Sequence, residues 1–264
     1  MYKENLVKSF IIDKMEVGIY KTEEAMGIAD AVMISETLKK LLKEKETVNM
    51  VFAPAASHYA VYKHLFNIEG IEWDRVNAFH LDEYVGLSDD SPERIANFAK
   101  VHIFSKAPFK NTYCMNSNVS DPEAECKRYE ELLRKHPLDI GVIGIGQNGH
   151  IAYNEPHVAD FNDPRLVKVV EIDEQSINQA AEKDNIFKNE DSVPRIAMTM
   201  TIPAIMSANY LFIAVPKSHK QKAVKDAIEG EITEKCPASI LRTHKCAKLF
   251  LDMESAAALK ILQY

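Results

Sequence analysis

The chain has 264 residues, 46% of them hydrophobic, which places it among ordinary globular proteins long enough for one large domain with a sizeable core. Its formal net charge is −7 with Lys and Arg scattered, so no basic surface for nucleic acid or an anionic membrane is expected, and no apolar run reaches the roughly eighteen residues of a membrane span. Cys114, Cys126, Cys236 and Cys246 show neither CxxC pairing nor zinc-ligand spacing, so reduced thiols and no metal are expected; the opening MYKENLVKSF lacks an apolar leader-like stretch, which predicts a cytoplasmic protein.

In chain order, the first strand is expected at Glu16 to Tyr20, followed by a helix over Glu24 to Leu42 that sets Met26, Ala29, Val32, Met33, Leu38 and Leu41 near helical spacing. Val48 to Ala53 reads as a strand and Ser57 to Phe66 as a helix capped at or near Ser57. Val76 to Leu81 reads as a strand running into a loop at Asp82. Ser91-Pro92 and Asp121-Pro122 each look like a cap with proline in the first turn, opening helices toward Val101 and Arg134. Further strands are expected at Val167 to Ile172, Ile196 to Met200, Tyr210 to Val215 and Lys248 to Leu251, with helices at His219 to Glu229 and Glu254 to Leu262. This alternation predicts an α/β fold, a mostly parallel sheet covered by helices on both faces, and no linker or repeat divides residues 1–264.

The most informative stretch is DIGVIGIGQNGHIAYNEP, Asp139 to Pro156. A short apolar run suited to a buried parallel strand ends in a glycine-rich turn carrying Asn148, His150 and Glu155. Histidine is the side chain best suited to moving a proton near neutral pH, and a carboxylate five residues on can orient it. In a parallel sheet, ligands bind beyond the carboxyl ends of the strands, which brings Asp82 and His150 to the same edge.

At these residues the chain resembles the glucosamine-6-phosphate deaminase/isomerase family, whose hallmark is a strand followed by GxNGHIxxNEP or GxDGHIxxNEP. Asp82-Glu83-Tyr84-Val85-Gly86-Leu87, Cys126 to Glu131 (CKRYEE) and Pro237 to His244 (PASILRTH) extend the likeness from about Val48 to Ala256. The resemblance implies a variant Rossmann-like fold of the deaminase, ribose-5-phosphate isomerase and CoA-transferase type. It implies conversion of an amino-sugar 6-phosphate, glucosamine 6-phosphate or its galactosamine epimer, to a ketose 6-phosphate and ammonia, with no metal or organic cofactor. By the same resemblance Asp82 is the base that moves the C2 proton to C1, His150 opens the sugar ring, and Glu155 orients the imidazole. Asn148, which stands where family members carry Asp or Asn, is by the same resemblance counted with these catalytic residues, as an amide that can hydrogen-bond but not take up a proton, and Asn154 reads as a shaping residue.

The likeness departs at the phosphate loop. Relatives carry a glycine- and threonine-rich turn there, whereas this chain has Ala53-Pro54-Ala55-Ala56-Ser57-His58, so Ser57 and a protonated His58 are the candidates left for an anion. Lys220 matches the family's phosphate lysine, Lys217 and His219 could assist it, and Arg195 and Arg242 could stand in for an arginine that some relatives carry between Gln175 and Lys188. Glu83, Gly146 and Gly149 complete the expected substrate-binding set. Val158-Ala159 replaces the hydroxyl side chains of relatives switched by an N-acetylated sugar phosphate, so no such activation is expected, although Arg165 is retained. The oligomeric state is open, a homo-oligomer included.

Two other readings stay open. A 6-phosphogluconolactonase shares the strand, glycine turn and histidine but needs no base at Asp82, and a sugar-phosphate sensor would keep the pocket without turnover. The match of Gly144 to Gly149 with GxGxxG is not taken as a dinucleotide site, because Pro156 falls where a helix should be under way.

Overall fold

The computed structural model of the protein describes residues 2–183 and 186–262. It opens with an antiparallel hairpin, β1 (Leu6–Ile12) and β2 (Met15–Tyr20). β1 precedes the first strand expected from sequence. Its pattern is hard to read because Lys8 sits on the inner side and donates to the Ile261 carbonyl at 2.5 Å, while Ile11, 70% exposed, faces out. That is the profile of an edge strand.

α1 (Glu23–Glu44) starts at Thr22, whose hydroxyl accepts from the Ala25 amide at 3.1 Å, with Glu23 and Glu24 suiting the first-turn dipole. β3 (Val48–Phe52), α2 (Tyr59–Leu65), β4 (Val76–His80) and β5 (Asp82–Tyr84) follow. Asp82 therefore begins a strand rather than a loop. Ser57 does not cap α2: it lies in a 3-10 turn, Ala56–His58, and its hydroxyl meets the His58 ring. α3 (Ile95–Ala99) continues as a π-helical turn over Lys100–Phe104 and leads to β6 (Asn111–Tyr113). Ser91-Pro92 does not open this helix. The Ser91 hydroxyl donates to Glu93, and the first amides of α3, Ile95 and Ala96, go to the Glu83 carboxylate.

α4 (Pro122–Lys135) begins as expected, with Asp121 accepting from the Ala124 amide at 3.0 Å and Pro122 in the first turn. The remaining elements are β7 (Ile140–Ile143), β8 (Val167–Glu171), α5 (Glu174–Asn178), β9 (Ile196–Met200), α6 (Ile202–Met206), β10 (Tyr210–Val215), α7 (Gln221–Glu229) and β11 (Ala247–Asp252). Glu254 to Leu262, expected as a helix, forms turns and a 3-10 turn at Lys260–Leu262.

The main sheet has the order β1-β2-β11-β10-β7-β3-β4-β6 and is parallel throughout except for the β1–β2 edge. β3, β4 and β7 are buried along their whole length, as a sheet covered on both faces requires. Alternate residues feed two cores: Met50, Phe52 and Val142 pack with α1 and α2, whereas Val51, Phe79 and Ile143 pack toward α4, α6 and α7. Register at the other end of the strands is held by an asparagine ladder. Asn77 Nδ2 donates to Asn49 Oδ1 and Asn111 Nδ2 to Asn77 Oδ1, both at 2.8 Å, across β3, β4 and β6.

A second, antiparallel sheet has the order β5-β9-β8. One residue, the buried Leu81, carries the chain from β4 in the main sheet to β5 in the small one, and its carbonyl accepts from the Met200 amide at 3.1 Å. The chain leaves β3 toward β4 and β6, returns to β7, and then runs outward through β10 and β11, so the order of connection reverses between β3 and β7. Such a reversal opens a crevice at the carboxyl ends of the two strands. Among the described residues, no helix is long and apolar enough to cross a membrane.

Candidate active site

A cleft of about 400 Å³ opens at that point, lined by Ala53–Tyr59 after β3, Gly144–Gly146 after β7, Pro216–Lys217 after β10, and by Asp82, His150, Ser176 and Lys220. Asp82 comes from the small sheet, paired with Thr199, and His150 from the turn that follows the main sheet. Two residues far apart in sequence thus share one wall-to-wall space.

The motif turn is closed by backbone bonds: the Gly149 amide donates to the Gly146 carbonyl at 3.1 Å and the Gly146 amide to the His150 carbonyl at 2.9 Å. Gly149 has φ +83°, a conformation open to glycine, and Ala152 is held at +52°. Gly146 has a different constraint, since a Cβ there would lie 1.9 Å from His150 Nε2. The imidazole occupies the space a side chain would take. The PASILRTH segment braces this turn, with the Ala238 amide donating to the Gly149 carbonyl at 2.8 Å. No helix starts on these glycines, which is incompatible with a dinucleotide fingerprint.

His150 and Glu155 do not bond directly. Nδ1 lies 3.6 Å from Glu155 Oε1, and between them stands Ser176, whose Oγ is 3.2 Å from Nδ1 and donates to Oε1. Glu155 Oε2 accepts from the Asp173 amide at 2.6 Å. Burial pushes Glu155 above the usual carboxylate range, while the Ser176 hydroxyl and the Asp173 amide hold it down. Burial, and then the charge of Lys220, pull His150 down to about 3, so the ring is neutral at physiological pH.

Asp82 is pushed up to about 7, by burial first and then by the neighbouring Glu83 carboxylate. Glu83, expected among the substrate-binding residues, is turned away from the cleft because adjacent strand residues point to opposite faces. It is fully buried and accepts from the amides of Tyr84, Ile95 and Ala96 at 2.9, 3.0 and 2.9 Å, with Arg94 Nε 3.8 Å away. Its work is to anchor α3 to β5. Asn148 also lies outside the lining. Its Oδ1 accepts from the His150 amide at 3.1 Å, so it holds the backbone under the imidazole. Asn154 Nδ2 donates to the Ile151 and Met200 carbonyls at 2.9 and 2.7 Å, the shaping role expected of it.

At the other end of the cleft His58 does not supply charge. It is fully buried, its Nε2 donates to the Ile143 carbonyl at 3.0 Å, Ser57 Oγ lies 3.1 Å from Nδ1, and burial pulls its pKa to about 4. Ser57 borders the cleft with its hydroxyl engaged by that ring. Lys220 is buried in the lining, its Nζ 3.4 Å from Gln179 Oε1, and Lys217 and His219 line the same end. Arg195 and Arg242 do not reach it: Arg195 is paired with Glu174, and Arg242 donates to the Ile228 carbonyl and pairs with Asp13. Among the described residues, no group of three or more His, Cys, Asp or Glu is gathered to hold a metal ion.

Ser176, Gln179, Tyr84 and Tyr153 line the cleft without having been singled out from sequence. The readable signal for Ser176 was Asp173, which caps α5 by accepting from the Gln175 amide at 2.7 Å. With only five residues of α-helix, no periodicity drew attention to it.

The profile of the glucosamine-6-phosphate isomerase and 6-phosphogluconolactonase family matches residues 21–250. Glucosamine-6-phosphate deaminase of Bacillus cereus (strain B4264) is 36% identical over 241 residues, 91% of this chain and 88% of that protein, and the enzyme of Bacillus thuringiensis (strain Al Hakam) gives the same identity and coverage. Among solved structures, a monomeric glucosamine-6-phosphate deaminase of the NagB superfamily superimposes with a TM-score of 0.83 at 30% identity, covering 92% of this chain and 99% of that one. The 6-phosphogluconolactonase of Thermotoga maritima shares the fold, with a TM-score of 0.72 at 20% identity over 89% of this chain and 99% of that one. With the likeness running through both the motif turn and the small sheet, the chain belongs to the glucosamine-6-phosphate isomerase and 6-phosphogluconolactonase family.

Proposed function

We propose that this enzyme is a deaminating aldose–ketose isomerase that converts an amino-sugar 6-phosphate, glucosamine 6-phosphate first, to a ketose 6-phosphate and ammonia. The observation that carries the reading is the placement of Asp82, His150 and Lys220 in one cleft, Asp82 from the small sheet and His150 from the turn after the main one. A lactone hydrolase needs to activate water alone, whereas isomerisation needs a second group to handle a carbon-bound proton, and Asp82 supplies it.

His150 Nε2 takes the proton of the anomeric hydroxyl and returns it to the ring oxygen, giving the open-chain aldehyde. The Asp82 carboxylate then takes the C2 proton while O1 takes a proton from the substrate's ammonium group, forming an enolamine, and Asp82 delivers its proton to C1, which leaves a protonated imine at C2. Water adds to the resulting C2 imine, and ammonia leaves with the ketose phosphate as the second product. Lys220, with Lys217 and His219 beside it, supplies positive charge for the phosphate end in place of a glycine-rich loop. Residues 1–264 act as one domain in this scheme, in the cytoplasm and without activation by an N-acetylated sugar phosphate.

The test is incubation with glucosamine 6-phosphate, galactosamine 6-phosphate and 6-phosphogluconolactone, with ammonia, ketose phosphate and acid release measured together. Equal release of ammonia and ketose phosphate from one amino sugar is expected. Acid release from the lactone with silence on both amino sugars would transfer the assignment to the hydrolase. Binding without turnover of any of the three would make the protein a sensor.

A further inference from the structure

We propose that Ser176 is a positioning residue for ring opening: its hydroxyl, shared between His150 Nδ1 and Glu155 Oε1, fixes the imidazole as the Nδ1–H tautomer and leaves Nε2 as the base in the cleft. The inference rests on the isomerase reading above and adds to it the group that couples Glu155 to the histidine.

The argument is a count of hydrogens. With Glu155 as the carboxylate, both its oxygens are acceptors: Oε2 accepts from the Asp173 amide and Oε1 from the Ser176 hydroxyl. A hydroxyl has one hydrogen to give. Since that hydrogen goes to Glu155, Ser176 Oγ can only accept from the ring, and the nitrogen 3.2 Å away, Nδ1, must carry a proton. The alternative, with the hydrogen turned toward Nδ1, would set an oxygen lone pair against a carboxylate oxygen. In the neutral ring Nε2 is then unprotonated. Nε2 lies over Gly146, which lines the cleft, so the basic nitrogen is the one a sugar can reach.

The direct contact is too long to do this. At 3.6 Å, Nδ1 and Glu155 Oε1 are beyond a good hydrogen bond, so without the hydroxyl the carboxylate would neither select the tautomer nor fix the ring plane. Ser176 is itself placed by α5: Asp173, which caps that helix, uses its amide to hold the other oxygen of Glu155. One helix start thus positions both the carboxylate and the bridge. When Nε2 takes up the anomeric proton, the imidazolium faces the buried Glu155 charge across a single hydroxyl.

The experiment compares the wild type with Ser176→Ala and Ser176→Thr on glucosamine 6-phosphate and on its analogue lacking the C4 and C5 hydroxyls, which can close neither the six- nor the five-membered ring. Nitrogen-15 NMR of His150 in the wild type and both variants reads the tautomer directly. Ser176→Ala is expected to lower kcat about tenfold to a hundredfold on the ring-closed substrate and less than about threefold on the analogue, part of the usual worth of an acid–base group. Ser176→Thr, which keeps the hydroxyl, is expected to recover most of the loss. The wild-type ring should show a protonated Nδ1 and a bare Nε2, and Ser176→Ala a mixture.

Equal losses on both substrates would reduce Ser176 to a structural residue, and an Nε2–H ring in the wild type would overturn the tautomer assignment outright. That measurement needs no turnover and no variant, so it decides even where Ser176→Ala folds poorly. Silence of the wild type on every amino sugar would remove the reaction reading and the ring-opening role with it, while the nitrogen shifts would still decide which proton the ring carries.

Discussion

A single methyl group would test how tightly His150 is held. Because a Cβ on Gly146 would fall 1.9 Å from Nε2, Gly146→Ala must displace the ring, and kcat should drop at least about a hundredfold, the scale of losing an acid–base group. Far-UV circular dichroism should stay unchanged, since the clash is with one side chain. Asp82 gives a second test. The base proposed for C2 must be deprotonated to act, and with Asp82 pushed up to about 7 the rate is expected to rise with pH through about 7 and level off above. No falling limb comes from His150, which is already neutral far below that range. A profile flat from pH 5 to 9, as measured on kcat/KM, would remove Asp82 from the step. Asp82→Asn should abolish turnover and leave substrate binding largely intact. That Asp82 and His150 meet at one sheet edge was legible in the sequence, because both sit in stretches whose neighbours are distinctive. It did not carry Glu83 or His58, whose directions depend on which face of a strand or turn the core takes, and adjacent residues in sequence divide there.

At the level of elements, the asparagine ladder is the clearest case of side chains setting register. Asn77→Ala would leave the buried Asn49 Oδ1 without its donor, while the exposed Asn111 can turn to water, and unfolding by urea should show a loss of about 1–2 kcal/mol, the cost of one unpaired buried polar group. A change within 0.5 kcal/mol, or about the error of the extrapolation, would mean the strands hold register without it. The long helices and the central strands were legible because α1 carries an apolar stripe at helical spacing, α4 opens on Asp121-Pro122, and β3, β4 and β7 are short, predominantly apolar runs. Short elements were not. α3, α5 and α6 have five residues each, too few for a period to show, and the capping signal of Ser91 was overridden by Glu83, a residue brought in from another strand.

For the whole molecule, buried carboxyls set the pH dependence of stability. Asp30 on α1 is fully buried with neither oxygen partnered, and burial holds its pKa well above the ordinary range. Asp82 is raised as well. The unfolded chain releases these protons near pH 4, the folded one only at higher pH, so unfolding is favoured increasingly as pH rises from about 4 toward each folded value. Stability should therefore fall across that window, and Asp30→Asn should flatten the fall, standing at least about 1 kcal/mol above the wild type at pH 8 relative to pH 4. Calorimetric melting of both proteins at the two pH values checks this, and parallel curves would show that Asp30 is not the group responsible. The parallel α/β plan was legible from the alternation of strand and helix. The second sheet was not, because its three strands are far apart in sequence and pair through contacts that no local pattern announces.

The passage through Leu81 has a mechanical meaning. One residue joins the eight-stranded sheet to the smaller sheet that bears Asp82, while His150 follows β7 of the larger one. The motif turn is tied to the small sheet in its own right, the Tyr153 amide donating to Thr199 Oγ1 at 3.0 Å and Asn154 Nδ2 to the Met200 carbonyl at 2.7 Å. The spacing of Asp82 and His150 is therefore a property of how two sheets dock, and substitutions at the seam around Leu81 and Met200 are expected to change it from beneath.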